Sequence, residues 1–172
     1  MINENKKNTE LIRNDISKLY EQMNKQFNEL KINNSILNNQ EIKYNNDRNR
    51  VRYIGQVQNG IPEGKGIMYW KNGERYEGEW KNDKKEGKGI NYWPNGDRYE
   101  GDFKNGVSEG KGIYYWNNGN RYEGDIKNGK SEGKGIMYYS NGDREMGDYK
   151  NGNQIGKHII LTKYKKIIEK YY

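Results

Sequence analysis

Residues 99–121 read YEGDFKNGVSEGKGIYYWNNGNR, and this pattern recurs before and after them at a constant step of 23 residues. The copies start at Tyr53, Tyr76, Tyr99, Tyr122 and Glu145, and the last copy is degenerate. A fixed period of this length is the signature of a repeat architecture. The fold is therefore decided by what one copy forms and by how successive copies stack.

One copy contains the signals for two strands and two tight turns. In Tyr99–Lys104, aromatic or small residues alternate with charged ones, which is typical of a half-buried strand. The turn formers at 105–108 follow, then a second strand over 110–116 and a second turn at 117–119. The sequence thus predicts a mainly β fold, an elongated single-layer antiparallel meander of hairpin repeats.

These residues resemble the MORN (membrane occupation and recognition nexus) repeat, whose unit reads roughly Tyr-x-Gly-x-aromatic, a turn, Gly-x-Gly, aromatics and a closing turn. The matching positions are Tyr76, Gly78, Trp80, Gly87, Gly89, Tyr99, Gly101, Phe103, Gly110, Gly112, Tyr122, Gly124, Gly133 and Gly135. Four units match well, and the likeness extends over about residues 53–156. The resemblance implies a β-meander used for membrane attachment, scaffolding or self-association, and it implies no catalysis.

The glycine pairs have a physical reason that does not depend on the family. Two glycines two residues apart, such as Gly87 and Gly89, expose the backbone on one strand face, so an aromatic ring from the adjacent strand can lie over it. One buried ring contributes about 4–6 kcal/mol as an upper bound. Fixing the backbone of a unit costs several times more. Each unit is therefore expected to be stable only within the array.

Composition excludes several classes of protein. Of the 172 residues only 31% are hydrophobic, which is too few for a large three-dimensional core, and the apolar surface comes mainly from 16 Tyr and 4 Trp. The absence of Cys rules out disulfides and thiolate metal sites. The longest apolar runs have four residues, and the N-terminus lacks an apolar signal segment. We expect an intracellular, cytoplasmic protein, with peripheral membrane or cytoskeletal association as alternatives.

The net charge of +7 is unevenly distributed. Residues 1–50 carry 9 basic and 7 acidic side chains, residues 51–156 carry 17 and 16, and residues 157–172 carry 5 and 1. The repeats are thus nearly neutral, and more than half of the excess lies in the C-terminal tail. This distribution argues against nucleic acid as a partner.

The N-terminal segment, residues 1–39, predicts a helix that starts near Asn8 or Thr9. Apolar side chains fall at alternating heptad positions, but Gln26 and Asn33 interrupt the seam, which leaves two interpretations open: a coiled coil that makes a homo-oligomer, or a lone amphipathic helix that packs on the sheet or a partner. The Asn-rich residues 40–52 are interpreted as a linker.

Basic side chains form two predicted rows along the repeats. The rows are Lys65, Lys88, Lys111 and Lys134, and Arg75, Arg98, Arg121 and Arg144. They could bind phosphate groups of an anionic membrane, but acidic residues interleave with them, so a structural, cross-strand role is the stronger interpretation.

A third row is aromatic. It comprises Trp70, Trp93, Trp116 and Tyr139. These side chains are candidates for a protein-partner surface, and the alternative is that they simply shield glycines.

Catalytic and cofactor motifs are missing. His158 is the only histidine, no Ser lies in a Gly-x-Ser-x-Gly elbow, and Gly-Lys-Gly is not the Gly-x-x-x-x-Gly-Lys-Ser/Thr phosphate loop. The carboxylate pairs recur in every unit, as expected of a solvated strand face. We therefore predict no enzyme, no cofactor and no metal site.

The C-terminal tail, KHIILTKYKKIIEKYY from Lys157, begins as a strand and then changes period. Residues 163–172 are predicted to form a short basic amphipathic helix. As a cap it would cover the last strand edge; alternatively, it would rest on anionic lipid. The candidate lipid contacts are Lys163, Lys165, Lys166 and Lys170.

The sequence therefore predicts a repeat array over residues 53–162 that acts as a noncatalytic scaffold, by binding a protein partner or by self-association. A peripheral membrane tether that binds anionic phospholipid is the alternative. A ligand-binding aromatic repeat of the choline-binding, cell-surface kind is a third interpretation, and the lack of a signal segment argues against it.

Overall fold

The structure, a computed structural model, describes residues 39–172. They form one 12-stranded antiparallel sheet in which every strand pairs with its neighbours in sequence. The strands are β1 (Asn39–Lys43), β2 (Arg50–Gln58), β3 (Ile61–Trp70), β4 (Arg75–Lys81), β5 (Lys84–Tyr92), β6 (Arg98–Lys104), β7 (Val107–Tyr115), β8 (Arg121–Lys127), β9 (Lys130–Tyr138), β10 (Arg144–Lys150), β11 (Asn153–Leu161) and β12 (Ile167–Tyr171). The mainly β meander is confirmed, and the predicted N-terminal helix and coiled coil lie outside the described residues.

Two kinds of turn alternate along the sheet. Two-residue turns join β2 to β3, β4 to β5 and so on; in one of them Asn105 and Gly106 have φ values of 51° and 91°. Positive φ at both central residues defines the hairpin turn whose twist matches that of paired strands. Turns of four or five residues join the hairpins; the turn at Lys71–Glu74 is closed by a hydrogen bond from the Trp70 N–H to the Glu74 carbonyl.

The sheet has two unlike faces. The tyrosine face carries the fully buried rings of Tyr53, Tyr76, Tyr99 and Tyr122, together with Trp80, Phe103, Ile126 and Tyr149. The charged face carries the predicted Lys and Arg rows. The buried hydrophobic side chains of the described residues therefore form one mainly aromatic stripe along one side of a single sheet.

The tyrosine ring covers bare backbone, as the glycine pairs predict. A Cβ placed on Gly89 would lie 2.3 Å from the Tyr76 hydroxyl oxygen, and one on Gly78 would lie 2.5 Å from it. The first glycine of the pair has a different task, because Gly87 adopts φ 60° where the strand makes a bulge. Of the pair Gly87 and Gly89, only Gly89 lies beneath the Tyr76 ring.

The predicted C-terminal helix at residues 163–172 is wrong. The chain turns at Thr162–Lys166 and returns as β12, which pairs with β11 from Lys157–Tyr171 to Leu161–Ile167. The 23-residue period simply continues, so alternation replaces the expected helical face: Ile168 shares the tyrosine face with its partner Ile160, and Tyr171 lies on the other.

Residues 40–52, interpreted from composition as a linker, contain strand residues. β1 and the start of β2 occupy much of this stretch, and the Tyr44 N–H donates to the Val51 carbonyl oxygen at 3.0 Å. The charged residues that suggested a linker form contacts within the β1–β2 hairpin, where the Arg50 guanidinium donates a hydrogen bond to Asp47 at 2.9 Å. Among residues 39–172 there is no helix of the length and apolarity needed to cross a membrane.

Candidate partner-binding face

The predicted aromatic row lies on the tyrosine face, at the end of each second strand. All four of its side chains are half-buried. Trp93 stacks on Tyr114 and Tyr114 on Trp116, each pair with ring centroids 6.1 Å apart. Trp70 stacks instead on Trp80 at 6.5 Å. Tyr139 donates its hydroxyl proton to Glu145 and makes no such stack.

Two adjoining grooves open beside the stacked rings. One, of about 620 Å³, is lined by Trp93 and Trp116 with the turn residues Asn72 and Pro94. The other, of about 350 Å³, is lined by Trp116, Tyr122, Met137, Tyr149 and Gln154 among others. Tyr114 and Trp116 belong to both grooves. The structure thus brings Trp93 and Trp116 together at a continuous concave aromatic surface, and it places Trp70 and Tyr139 outside it.

The arginines of the charged face stack on tyrosines and stay partly exposed. The guanidinium carbons of Arg75, Arg98 and Arg121 lie 4.2, 3.9 and 4.1 Å from the ring centroids of the tyrosines on the neighbouring strand. The Arg98 guanidinium also bonds the Glu100 carboxylate at 2.9 Å. These contacts favour the cross-strand role.

Three of the four lysines in the Lys row form ion pairs. Lys88 lies 2.5 Å from Asp102, Lys134 lies 3.4 Å from Asp148, and Lys111 pairs with Asp125. A wide groove of about 740 Å³ runs along these pairs. Although it is larger than either groove of the tyrosine face, its cations already have anionic partners, so an incoming phosphate would compete with carboxylates.

The candidate lipid contacts are separated by the β12 register. Lys163, Lys165 and Lys166 are exposed in the turn between β11 and β12, and Lys170 faces His158 across the last strand pair. They do not share the single basic face that a helix would have given them.

Sequence reasoning missed a set of backbone caps. The acidic residue before each Gly-Lys-Gly accepts a hydrogen bond from a turn amide 19 residues further on, at 2.8 to 2.9 Å. The pairs are Glu63 with Asn82, Glu86 with Asn105, Glu109 with Asn128, and Glu132 with Asn151. The regular recurrence of these acids was the available signal, and it was interpreted only as charge balance.

The ionisation of the buried tyrosines is suppressed. Burial raises the pKa of Tyr122 to about 12 and raises the pKa of Tyr76 and Tyr99 further. Their hydroxyls donate to backbone carbonyls three residues on, such as Tyr99 to Asp102 at 3.0 Å. These phenols are structural donors. In the described part of the chain no group of three His, Asp or Glu side chains could hold a metal ion.

Fold and surface together define a repeat protein with one open antiparallel sheet, an aromatic concave face and a charge-paired opposite face. The MORN repeat profile matches four consecutive times, at residues 53–75, 76–98, 99–121 and 122–144. These matches cover more than half of the chain, and the protein belongs to the MORN repeat family.

Other comparisons add little to this assignment. A search of curated proteins found no match. Among solved structures, the SAS-4 (dCPAP) TCP domain of Drosophila melanogaster, in complex with a proline-rich motif of Ana2, is 12% identical, with 78% of each chain covered and a TM-score of 0.47. The TCP10 domain of Danio rerio CPAP, in complex with a STIL peptide, is 12% identical, with 77% of this chain and 75% of that chain covered and a TM-score of 0.23.

Proposed function

We propose that this protein is a noncatalytic scaffold that binds a protein partner through the tyrosine face. The observation that carries the proposal is the contrast between the two faces: most cations of the charged face, such as Lys88, Lys111 and Lys134, are paired with carboxylates, whereas the tyrosine face keeps stacked rings around open grooves. Aromatic side chains in concave surfaces are the usual anchors of protein interfaces. The family supports a scaffold, since its repeats serve for interaction rather than chemistry. A cytoplasmic location is part of the proposal.

The test compares two matched truncations on opposite faces. Trp116→Ala removes a ring from the grooves, and Ile113→Ala removes a half-buried side chain of the same hairpin from the charged face. Both variants would be checked for folding by circular dichroism and then used, with the wild type, to capture partners under identical conditions. Loss of a reproducible partner from Trp116→Ala alone supports the proposal. Equal loss from both variants, or loss from Ile113→Ala alone, contradicts it.

A membrane tether is the second candidate, and one observation favours it. Lys163, Lys165 and Lys166 are exposed in one turn, with Tyr164 and Ile167 exposed at 76% and 72% beside them. Each Lys near an anionic surface contributes about 1 kcal/mol of attraction. Co-sedimentation with anionic vesicles, compared between the wild type and a variant with these three lysines changed to Gln, tests the tether. Binding that is equal in the two proteins contradicts it.

A further inference from the structure

The last strand of the sheet, β12, lacks the cover that the inner repeats have. On the tyrosine face its side chains Ile168 and Tyr172 stand where Tyr122 stands two periods earlier and Tyr149 one period earlier. Tyr122 and Tyr149 are 1% and 3% exposed, whereas Ile168 and Tyr172 are 47% and 45% exposed. The difference arises because β8 and β10 have a strand on both sides, while β12 pairs only with β11. The stripe of buried side chains is therefore incomplete at this edge.

The open edge of β12 also presents unpaired backbone groups. The Tyr172 N–H donates to the Gly156 carbonyl at 2.9 Å, and the Gly156 N–H donates to the Tyr172 carbonyl at 3.1 Å, so alternate residues of β12 point these groups toward β11. The residues between them, Ile167, Glu169 and Tyr171, point their N–H and carbonyl groups away from β11. An edge of this kind is a template for one more strand.

Positive charge surrounds this edge. Four exposed lysines on β12 and in the turn before it form no ion pair within residues 39–172: Lys163, Lys165, Lys166 and Lys170. The one acid of the strand, Glu169, already pairs with Lys157 at 2.6 Å. A strand with acidic side chains would neutralise this excess, whereas the β12 of a second copy would double it.

The backbone groups distinguish a protein segment from the interior of a lipid bilayer as the cover of this edge. The side chains of Ile167 and Tyr171 are 72% and 70% exposed, and they could insert into a bilayer only together with the backbone of the edge. The unpaired N–H and carbonyl groups would then lose water without gaining partners, which is costly in hydrocarbon. An added strand supplies those partners and covers the apolar side chains at the same time.

We propose that the open edge of β12 binds an extended acidic segment of a partner protein, which adds to the sheet as one more antiparallel strand. The segment carries β-branched apolar side chains opposite Ile168 and Tyr172 and acidic side chains opposite Lys166 and Lys170. No residue of β12 lines the grooves of the tyrosine face. The edge is therefore a second binding surface, and it does not depend on the scaffold function proposed for those grooves.

Calorimetric titration of the full chain tests the edge with a defined probe. The probe is the acetylated and amidated peptide VTETVTEE, whose valines would face Tyr172 and Ile168 and whose first two glutamates would face Lys170 and Lys166. One comparator has lysine in place of every glutamate. The other has proline in place of the threonine opposite Glu169, because proline has no N–H to donate. We expect each comparator to bind at least about tenfold more weakly than the probe. Equal binding by either comparator, or no binding of the probe at about 1 mM, overturns the proposal.

Two pairs of variants locate the site on the protein. Glu169→Pro removes one N–H from the open edge, where that N–H has no partner in the sheet, and Glu169→Thr keeps it. The probe should bind Glu169→Thr at least as tightly as the wild type and should bind Glu169→Pro at least about tenfold more weakly. Lys166→Glu should weaken binding, and Lys127→Glu, the same change of charge on an exposed lysine of β8, should leave it unchanged.

The two pairs of variants are read together. If circular dichroism shows that Glu169→Pro is unfolded, the two lysine variants decide alone. Retained binding by a folded Glu169→Pro, or equal effects of the two lysine changes, overturns the assignment to β12.

Three further outcomes would assign the edge or the probe differently. A dimer in analytical ultracentrifugation that is lost in Glu169→Pro and kept in Glu169→Thr would assign the edge to a second copy and overturn the proposal. Sedimentation with anionic vesicles that requires Lys166, without binding of the probe, would assign the lysines to a lipid surface and overturn it as well. Trp116→Ala should bind the probe as the wild type does; loss of binding there would place the probe in the grooves and overturn the edge site.

Discussion

His158 and Glu145 exchange the roles that a tyrosine and a glycine have in the other repeats. Glu145 stands at the tyrosine position, and His158 stands at the glycine position of the facing strand. A Cβ on Gly147 would lie 2.2 Å from the His158 ring, and His158 Nε2 lies 2.9 Å from the Asp148 carbonyl oxygen, the bond a tyrosine hydroxyl makes elsewhere. The imidazole therefore supplies the covering ring from the opposite strand.

A double-mutant cycle tests this exchange. Glu145→Tyr alone forces a second ring into the space of His158, and His158→Gly alone leaves a carboxylate that is 1% exposed without its covering ring, so each should cost about 3 kcal/mol. The double variant restores the ordinary pair and should approach wild-type stability. Guanidinium unfolding of the four proteins would measure the coupling; additive losses would show that the two residues are independent.

The same pair makes stability depend on pH. His158 Nδ1 lies 3.1 Å from a Glu145 carboxylate oxygen. Burial acts to raise the pKa of Glu145, but hydrogen bonds from Tyr139 and Tyr172 and the charge of His158 outweigh it, and the pKa lies below its ordinary value. A lowered folded-state pKa contributes stability that is present above the ordinary pKa of Glu and is lost as pH falls through the folded value.

We therefore expect the stability difference between the wild type and Glu145→Gln to shrink as pH falls below about 4.5. Unfolding curves measured across that range give the difference directly, and the subtraction removes the contribution of other acids such as Asp102. The control is Glu123→Gln, which removes an exposed carboxylate from the charged face. The stability difference between this variant and the wild type should show no such trend. A difference that grows in acid would contradict the assignment.

Much of the fold follows from local sequence signals. The period fixes the units, and Asn-Gly pairs fix the short turns, because positive φ at two adjacent residues is a local requirement. Gly89 beneath Tyr76 is similarly readable, since both belong to a motif that recurs. What could not be predicted depends on substitutions that compensate each other across strands, as Glu145 and His158 do.

The contacts of Lys85 were missed for a related reason. The Lys85 ammonium group donates a hydrogen bond to the Glu74 carboxylate. In the next repeat the equivalent carboxylate, that of Asp97, accepts the Asn117 N–H at 2.8 Å instead. Glu74 has no such backbone donor, because Pro94 stands at the position of Asn117 and has no N–H. Of the rings that line the smaller groove, the aromatic row gave Trp116, Tyr122 was interpreted as structural, and Tyr149 was not singled out. Comparing one repeat with another, position by position, is the signal that finds these contacts.

The ring over glycine predicts a steep cost for adding a methyl group. A Cβ at Gly112 would lie 2.3 Å from the Tyr99 hydroxyl oxygen, so Gly112→Ala should destabilise the protein by about 1–3 kcal/mol. In a Tyr99→Ala background the same change should cost much less, because the obstructing ring is gone. Chemical denaturation measures both steps. An equal cost in the two backgrounds would place the strain in the backbone instead.

The final turn predicts a stabilising substitution. Lys165 has φ 63° at the position where the equivalent turns have glycine, for example Gly73 with φ 86°. A left-handed conformation costs a residue with a Cβ roughly 1–2 kcal/mol, so Lys165→Gly should raise stability by about 1 kcal/mol. Gly106→Ala, where a Cβ meets nothing within 4 Å and φ is 91°, should lose a similar amount. Thermal unfolding of both variants checks the prediction, and destabilisation by Lys165→Gly would refute it.

Lys85, whose ammonium group lies over the rings of Trp70, Tyr76 and Phe103, is predicted to stabilise the sheet, unlike its neighbour Lys84. The Lys85 side chain is 15% exposed and lies over three rings, and burial lowers its pKa although the bond to Glu74 opposes this. Lys85→Met keeps the aliphatic length but leaves the side-chain oxygen of Asn91, a residue 2% exposed, without its donor. The loss should be about 1–3 kcal/mol, whereas Lys84→Met, on an exposed side chain, should stay within about 0.5 kcal/mol of wild type.

Denaturant unfolding at low and high salt distinguishes the causes, since a buried, hydrogen-bonded ammonium group is poorly screened and its effect should persist in high salt. Equal effects of the two substitutions would mean that the rings and the two acceptors do not hold the Lys85 ammonium group.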